Sequence, residues 1–237
     1  MEKIYSERFA LRTSDFDMNG KIKPSAVLDL FQEVAGTHAN KLNIGFENLI
    51  EKQLLWVLVK VKFEVVNDIK MHTAVIVKTW PLKPSRVTLQ RDYLIEDENG
   101  NVLIKGTSEW VTMNIETRRL AISNDIYPLE EFCDDRAFEE KISKIPDFET
   151  QKENKISPTP CEIDINLHVN NIRYADYVMN LVGFDPQKDI KQFQIDFHRE
   201  VKMQDNLCIK INEEEKTVLA KGISEENEKM FSCRIIY

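Results

Sequence analysis

No run of the sequence approaches the roughly 18 consecutive apolar residues that a membrane-crossing helix needs, so no membrane span is expected. The opening Met1-Glu2-Lys3-Ile4-Tyr5-Ser6-Glu7-Arg8 carries charges where a secretory signal needs an apolar stretch. It is also acidic early and poor in serine, unlike a transit peptide, and a cytoplasmic location is expected. Cysteine is scarce and scattered: Cys133, Cys161, Cys208 and Cys233 form no C-x-x-C pair, which argues against a metal cluster. Cys208 and Cys233 stand in strand-like apolar runs and read as small buried hydrophobes. The seven glycines make no Gly-rich phosphate loop. Lys and Arg number 32 against 40 Asp and Glu, for a formal net charge of -8. That sign disfavours general nucleic-acid binding, which sets Lys and Arg against phosphates, although a local basic patch is still compatible with it. Neither a metal nor a cofactor is called for.

The chain is 42% apolar and 30% charged, a globular composition able to bury a core. Its 237 residues suit one large domain or two small ones, and an internal repeat favours two. Asp17-Met18-Asn19-Gly20-Lys21-Ile22 resembles Asp164-Ile165-Asn166-Leu167-His168-Val169, at an offset of 164 − 17 = 147 residues. Each segment leads into a helical pattern: Val27, Leu30, Phe31, Val34 and Leu42 after the first, Tyr174, Val178, Leu181 and Val182 after the second. Pro24 suits the first turn of one helix. Asn170 or Asn171 suits the cap of the other, because an Asn side chain accepts from free N–H groups there.

Strands follow each helix. Val57, Val59, Val61, Phe63 and Val65 alternate with Leu58, Lys60, Lys62 and Glu64, a strand with one mostly polar face. Residues 73–80, 86–96 and 102–115 read as further strands, with Asn99-Gly100 as the hairpin turn before the last. In the second half, strands are expected over 193–201, 207–211, 217–223 and 230–236. Each half is thus one helix with four or five strands, an α+β unit whose antiparallel sheet wraps its helix, and two such units can pair through their sheets. The charged stretch 127–148, with Pro128 and Pro146, reads as a connector with some helix. The expected divisions are 1–128, a connector at 129–150, and 151–237.

Asp164-x-Asn166-x-His168-Val169-Asn170-Asn171-x-x-Tyr174 resembles the active-site motif of the acyl-acyl carrier protein (acyl-ACP) thioesterases, a family of plant plastid enzymes and shorter bacterial relatives. Thr79-Trp80, Arg91-Asp92 and Ser108-x-Trp110-Val111-x-Met113-Asn114-x-x-Thr117-Arg118-Arg119-Leu120 resemble that family's first-domain signature. Asp196-Phe197-His198-Arg199-Glu200 resembles the segment that supplies an acidic catalytic residue. The resemblance covers nearly the whole chain. It implies two tandem hotdog folds, a catalytic set of Asp164, Asn166, His168 and Glu200, and acyl carrier protein as the acyl donor. Plant members often carry a cysteine after the acidic residue. Val201 stands there, which argues against a Cys–His mechanism.

Thioester hydrolysis needs an activated water, a polarised carbonyl and a held acyl chain. His168 is the general-base candidate, since imidazole changes charge near neutral pH. Asp164 can orient the imidazole or the water, Asn166 can donate and accept, and Glu200 is expected from a neighbouring strand. Backbone N–H groups at the second helix start, near Asn170 and Asn171, can polarise the carbonyl. Taken alone, each of these residues has an ordinary reading as a turn, a cap or a solvated face; their joint match carries the argument. His38 reads as a satisfied core histidine, and His72 and His198 have no partner that the sequence names. By the same offset Lys21 stands where His168 stands (168 − 147 = 21). The first half is therefore expected to be non-catalytic and to shape the acyl pocket, with Val27, Leu30, Phe31, Val34 and Trp56 as lining candidates.

A carrier protein of acidic character needs a basic face. Lys78, Lys83, Arg86 and Arg91 form one candidate cluster, Arg118 and Arg119 another, and Lys60 and Lys62 share a strand face. Three other functions fit parts of the pattern: hydrolysis of coenzyme A thioesters, non-catalytic binding of acyl thioesters, and a hydratase or dehydratase, against which the first-half signature argues. A monomer and a homodimer are both compatible with tandem lobes.

Overall fold

The computed structural model describes residues 3–122, 126 and 132–237. Along the chain come β1 (Tyr5–Ala10), α1 (Pro24–Lys41), α2 (Phe46–Ile50), β2 (Leu54–Val65), β3 (Ala74–Pro81), β4 (Thr88–Glu96) and β5 (Val102–Asn114). Then follow β6 (Lys152–Ile156), α3 (Arg173–Val182), β7 (Gln192–Phe197), β8 (Leu207–Glu213), β9 (Thr217–Ser224) and β10 (Lys229–Ile236). All ten strands form one sheet in the order β1-β3-β4-β5-β2-β7-β10-β9-β8-β6. Read inward from either edge, the two halves follow the same path, β1-β3-β4-β5-β2 and β6-β8-β9-β10-β7. The internal repeat is thus a pseudo-two-fold whose seam is the antiparallel β2–β7 pairing, Lys60↔Asp196 to Glu64↔Gln192. This is the α+β double hotdog expected from the sequence, with two strands, β1 and β6, that its patterning did not reveal.

Both long helices lie on one face of the sheet. Pro24 opens α1 at its first turn, and Val27, Leu28, Leu30, Phe31, Val34 and Ala35 face inward. Tyr174, Ala175, Tyr177, Val178 and Met179 do the same on α3, which Gly183 ends at φ +79°. α1 packs on β1, β3 and α3, so one hydrophobic core is drawn from both halves. At the seam Phe63 and Phe193 stack with ring centroids 5.4 Å apart. A Cβ at Gly106 would lie 2.3 Å from the Phe31 ring, so glycine there is what lets α1 settle on β5.

The opposite face is polar, and the connector covers part of it. The expected boundary at 128–129, with Tyr127 and Pro128, lies outside the described residues. Residues 132–150 contain no helix, so the helix expected in the connector is absent from this part of it; residues 127–131 lie outside the described residues. An extended chain presents its N–H and C=O groups to the sheet's polar side chains, and those bonds take the place of a helix. Trp80 Nε1 donates to the Asp135 carbonyl (2.7 Å), Gln194 Nε2 to the Ser143 carbonyl (2.8 Å), and the Ala137 N–H to Asp92 Oδ2 (2.7 Å). Lys60 pairs with Glu109 at 3.4 Å, and Lys62 lies 4.7 Å from the Phe138 ring centroid. Lys62 is therefore packed against the connector and Lys60 is engaged within the sheet.

Burial raises the Asp92 carboxyl above the ordinary carboxylate range. The folded chain thus holds this proton more tightly than the unfolded chain. The group's contribution to stability is full below the unfolded value and is lost as pH rises through the raised folded value. Asp92→Asn retains an acceptor for Ala137 while removing the buried charge. The drop in Tm as pH rises from about pH 4, near the unfolded value, to about pH 8 is expected to be smaller in this variant than in the wild type. Thermal melts across that range check it, and parallel curves would count against it.

Candidate active site

Two loops, one in each half, are built by the same hydrogen bonds. In the second, the Asp164 N–H donates to the His168 carbonyl (2.9 Å), the Leu167 N–H to the Asp164 carbonyl (3.0 Å), and the Asn166 N–H to Asp164 Oδ1 (2.8 Å). In the first, Asp17, Lys21, Gly20 and Asn19 make the equivalent bonds at 2.8, 3.0 and 2.8 Å. The preceding short turns match too: Arg12 N–H to Asp15 Oδ2 and Thr159 N–H to Glu162 Oε2 are both 2.6 Å. Asp164 therefore has a loop-shaping role that it shares with Asp17, in a copy that has no histidine. The third loop position takes φ +74° at Gly20 and φ +64° at Leu167. A side chain held there costs about 1–3 kcal/mol, strain of a kind concentrated at functional sites.

His168 is partly buried, with Nε2 3.2 Å from Glu200 Oε2. Glu200 does not lie on a strand: β7 stops at Phe197, and Glu200 sits in the loop that follows. The strand ends because the chain turns to pair with the histidine loop. The Val169 N–H donates to the Val201 carbonyl (2.8 Å), and His168 bridges Lys202. Tyr174, buried and edge-on to Phe197 and Phe231, reaches the backbone of Val201 from beneath, and desolvation raises its phenol above the ordinary value. The same Glu200 Oε2 lies 2.7 Å from Arg118 Nη2. Arg118 belongs to the other half, on a turn after β5 where its φ is +55° and Asn114 Oδ1 accepts the Thr117 N–H at 2.9 Å. One carboxylate oxygen thus joins a histidine of one half to an arginine of the other. Asn166 is exposed, and its side-chain amide makes no protein hydrogen bond among the described residues.

An apolar slot of about 20 Å³ opens between α1 and the start of α3. Asn171, Ile172 and Phe197 line it from the second half, and Leu58, Val61 and Phe31 from the first. Four of its lining residues are linked: Phe31 stacks on Tyr93 at 4.2 Å, the Tyr93 hydroxyl is 2.9 Å from Ser108 Oγ, and Trp110 Nε1 donates to Ser108 Oγ at 2.7 Å. Ser108 and Trp110 belong to the first-half signature, the one signal in the sequence that pointed to these residues. Of the expected lining residues, Phe31 reaches the slot. Val27, Leu30 and Val34 are buried in the shared core. Trp56 donates to the Ile44 carbonyl at 2.9 Å and joins a separate small cluster with Leu49 and Leu89.

At the start of α3 the cap differs from expectation. The N-cap residue is Ile172, which has no side chain able to cap. Asn170 acts from two residues before it: its Oδ1 takes the Ile172 N–H (3.1 Å) and its carbonyl the Arg173 N–H (2.9 Å). The Asn171 N–H, beside the slot, makes no hydrogen bond among the described residues.

The basic residues are scattered. Arg91 is buried, not on a docking face: it points under α1, with Nη1 3.0 Å from His38 Nδ1 and 3.1 Å from Thr79 Oγ1. A guanidinium only donates, so His38 Nδ1 is the acceptor. Alternation along β4 aims residue 91 at the core. Lys78 pairs with Glu96 at 2.7 Å, while Lys83, Arg86 and Arg119 are exposed. His198 Nε2 meets Ser232 Oγ at 3.0 Å, and burial lowers its pKa. His72 sits on an exposed turn at φ +61°.

Comparison with known proteins adds an independent finding. Residues 2–129 match the model of the acyl-ACP thioesterase N-terminal domain, and residues 146–236 that of the C-terminal domain. The chain is 28% identical over 227 residues to the chloroplastic oleoyl-acyl carrier protein thioesterase 2 of Arabidopsis thaliana, covering 85% of this chain and 60% of that one. It is 26% identical over 224 residues to the corresponding enzyme of Coriandrum sativum, again covering 85% and 60%. The chain therefore spans about three-fifths of the length of these curated relatives. An acyl-ACP thioesterase from Bacteroides thetaiotaomicron superposes with a TM-score of 0.91 at 24% identity, over 99% of this chain and 97% of that one. The 12:0-ACP thioesterase from Umbellularia californica gives 0.88 at 21%, over 100% and 97%. At such identities the structural likeness speaks for the fold.

Proposed function

Because the chain belongs to the acyl-ACP thioesterase family, we propose that it hydrolyses fatty acyl-acyl carrier protein thioesters to free fatty acid and carrier protein. The observation that carries this reading is the His168–Glu200 pair, 3.2 Å apart, each three residues along the chain from a residue that lines the small apolar slot, Asn171 and Phe197. His168, steadied by Glu200, takes a proton from water as that water attacks the thioester carbonyl carbon. The Asn171 N–H is placed to meet the oxygen as it becomes negative. The C–S bond then breaks, and the proton held on His168 passes to the leaving thiolate. Asp164 shapes the loop, and Asn166 offers its amide to the water or the pantetheine arm. Support for a macromolecular donor comes from the rim, where Ile165 and Leu167 are 80% and 75% exposed on the catalytic loop and Arg119 stands next to Arg118.

Thiol release from acyl carrier protein thioesters of graded chain length, with the matching coenzyme A thioesters alongside, tests the proposal. Faster release from the carrier protein set is the expected result. Equal or faster release from coenzyme A would move the assignment to that class of hydrolase. No release from either by folded protein would remove the enzymatic reading and leave a binding protein. The slot gives a second test. At about 20 Å³ it has room for little more than a water molecule, so an acyl chain entering there needs its walls to part; Phe31→Ala removes one wall ring, and kcat/KM for the longest chains is expected to rise about ten-fold relative to the shortest. An unchanged chain-length profile would place the acyl chain elsewhere.

A further inference from the structure

The pseudo-two-fold carries a second cleft at its other end, and it is the roomier one, about 430 Å³. That volume lies within the range of about 300–1,000 Å³ usual for small-molecule sites. It is the counterpart of the catalytic slot: Pro24 lines it where Asn171 lines the other (171 − 147 = 24), and Met179 where Gln32 does (32 + 147 = 179). Its walls are apolar, from Phe63 and Val65 at the seam, Ile69, Met179, Phe184 and Ile190. Lys21 stands at its mouth in the place of His168.

We propose that this cleft binds a long-chain carboxylate without turning anything over, the alkyl chain running between α3 and the seam and the carboxylate resting on Lys21. The ammonium has three donors. Among the described residues it meets Asp189 and the Pro186 carbonyl (3.3 Å), which leaves a third for a ligand. Lys70 and Lys188 add positive charge to the rim, Lys188 being 3.3 Å from Glu213. Four aspartates line the same mouth, and three are already engaged. Asp17 Oδ1 accepts the Asn19 and Lys21 N–H groups (2.8 and 3.0 Å), Asp185 Oδ1 accepts the Gln187 N–H (2.8 Å), and Asp189 holds Lys21. Asp68 is exposed at the edge. With a cation in the place of the base, the loop geometry that positions a general base at the catalytic end here positions a counter-ion.

The inference does not depend on catalysis, and binding is what tests it. Equilibrium dialysis of the full chain against labelled dodecanoate, with dodecanol as the neutral control, is run on the wild type, Lys21→Gln, Ile69→Trp and Phe31→Trp. Lys21→Gln is expected to weaken one class of dodecanoate site about ten-fold while leaving dodecanol binding and thiol release unchanged. Ile69→Trp fills the cavity and is expected to abolish both ligands at that site. Because Ile69 is buried and its replacement can harm folding, the surface variant Lys21→Gln is the deciding one. Dodecanoate binding that survives both substitutions and disappears only in Phe31→Trp would overturn the proposal, placing the acid in the catalytic slot alone. Dodecanol bound as tightly as dodecanoate would also overturn it.

Discussion

Replacing His168 by alanine is expected to lower kcat/KM for thioester hydrolysis by about 10³-fold, mostly in kcat, with KM little changed. The side chain is only partly buried, so its loss creates no core cavity, and the melting temperature should stay close to that of the wild type. The loop itself keeps its shape, because its hydrogen bonds run through the backbone and Asp164. The copy around Lys21 shows that this loop forms without a histidine. Rate loss with intact folding and intact acyl-thioester binding is therefore the signature to look for. A variant retaining more than about a tenth of wild-type activity would mean that another group removes the proton.

Glu200→Gln is expected to cost about 10²-fold in kcat. The amide keeps the shape but loses the charge that faces both His168 Nε2 and Arg118 Nη2. The double variant His168→Ala with Glu200→Gln should be little worse than His168→Ala alone, because groups that act as a unit lose their effect together. Arg118 makes the second half of the test. It shares the oxygen Oε2 with the histidine, so Arg118→Ala frees Glu200 to turn away and should lower kcat several-fold in a Glu200-dependent manner. Independent, multiplicative losses at 118 and 200 would instead assign Arg118 to docking of the carrier protein alone.

What the sequence revealed depended on how local each signal was. The β2 alternation, the α1 and α3 spacing and the 147-residue repeat are properties of consecutive residues, and they survive in the structure with shifts of a few positions. β6 was missed for a physical reason, whereas β1 does alternate in burial. Lys152-Glu153-Asn154-Lys155 has no apolar face to alternate, and it is a strand only because β8 offers its backbone. The connector misled in the opposite direction. Its charges suggested helix, while the polar face of the sheet, assembled from distant strands, holds residues 132–150 without one. Arg91 looked like a surface charge until β4 was placed under α1. The Arg118–Glu200 contact joins residues 82 apart in sequence, and no pattern within either segment announces it. The loop that carries His168 stood out as a repeat because its imperfect copy at Lys21 lies in the same chain, and its reading as a catalytic motif rested on resemblance.

The two outermost strands have a consequence for how the molecule behaves among copies of itself. A sheet edge offers unpaired N–H and C=O groups to any passing strand. In β6 the residues from Lys152 to Lys155 are all exposed and polar, and at the far edge β1 carries Glu7 and Arg8, the latter held 2.8 Å from Glu98. An incoming strand would have to desolvate these charges along its length. Charged edges of this kind disfavour the addition of a further strand at either end of the sheet, while the apolar pairing between its halves stays buried at the seam.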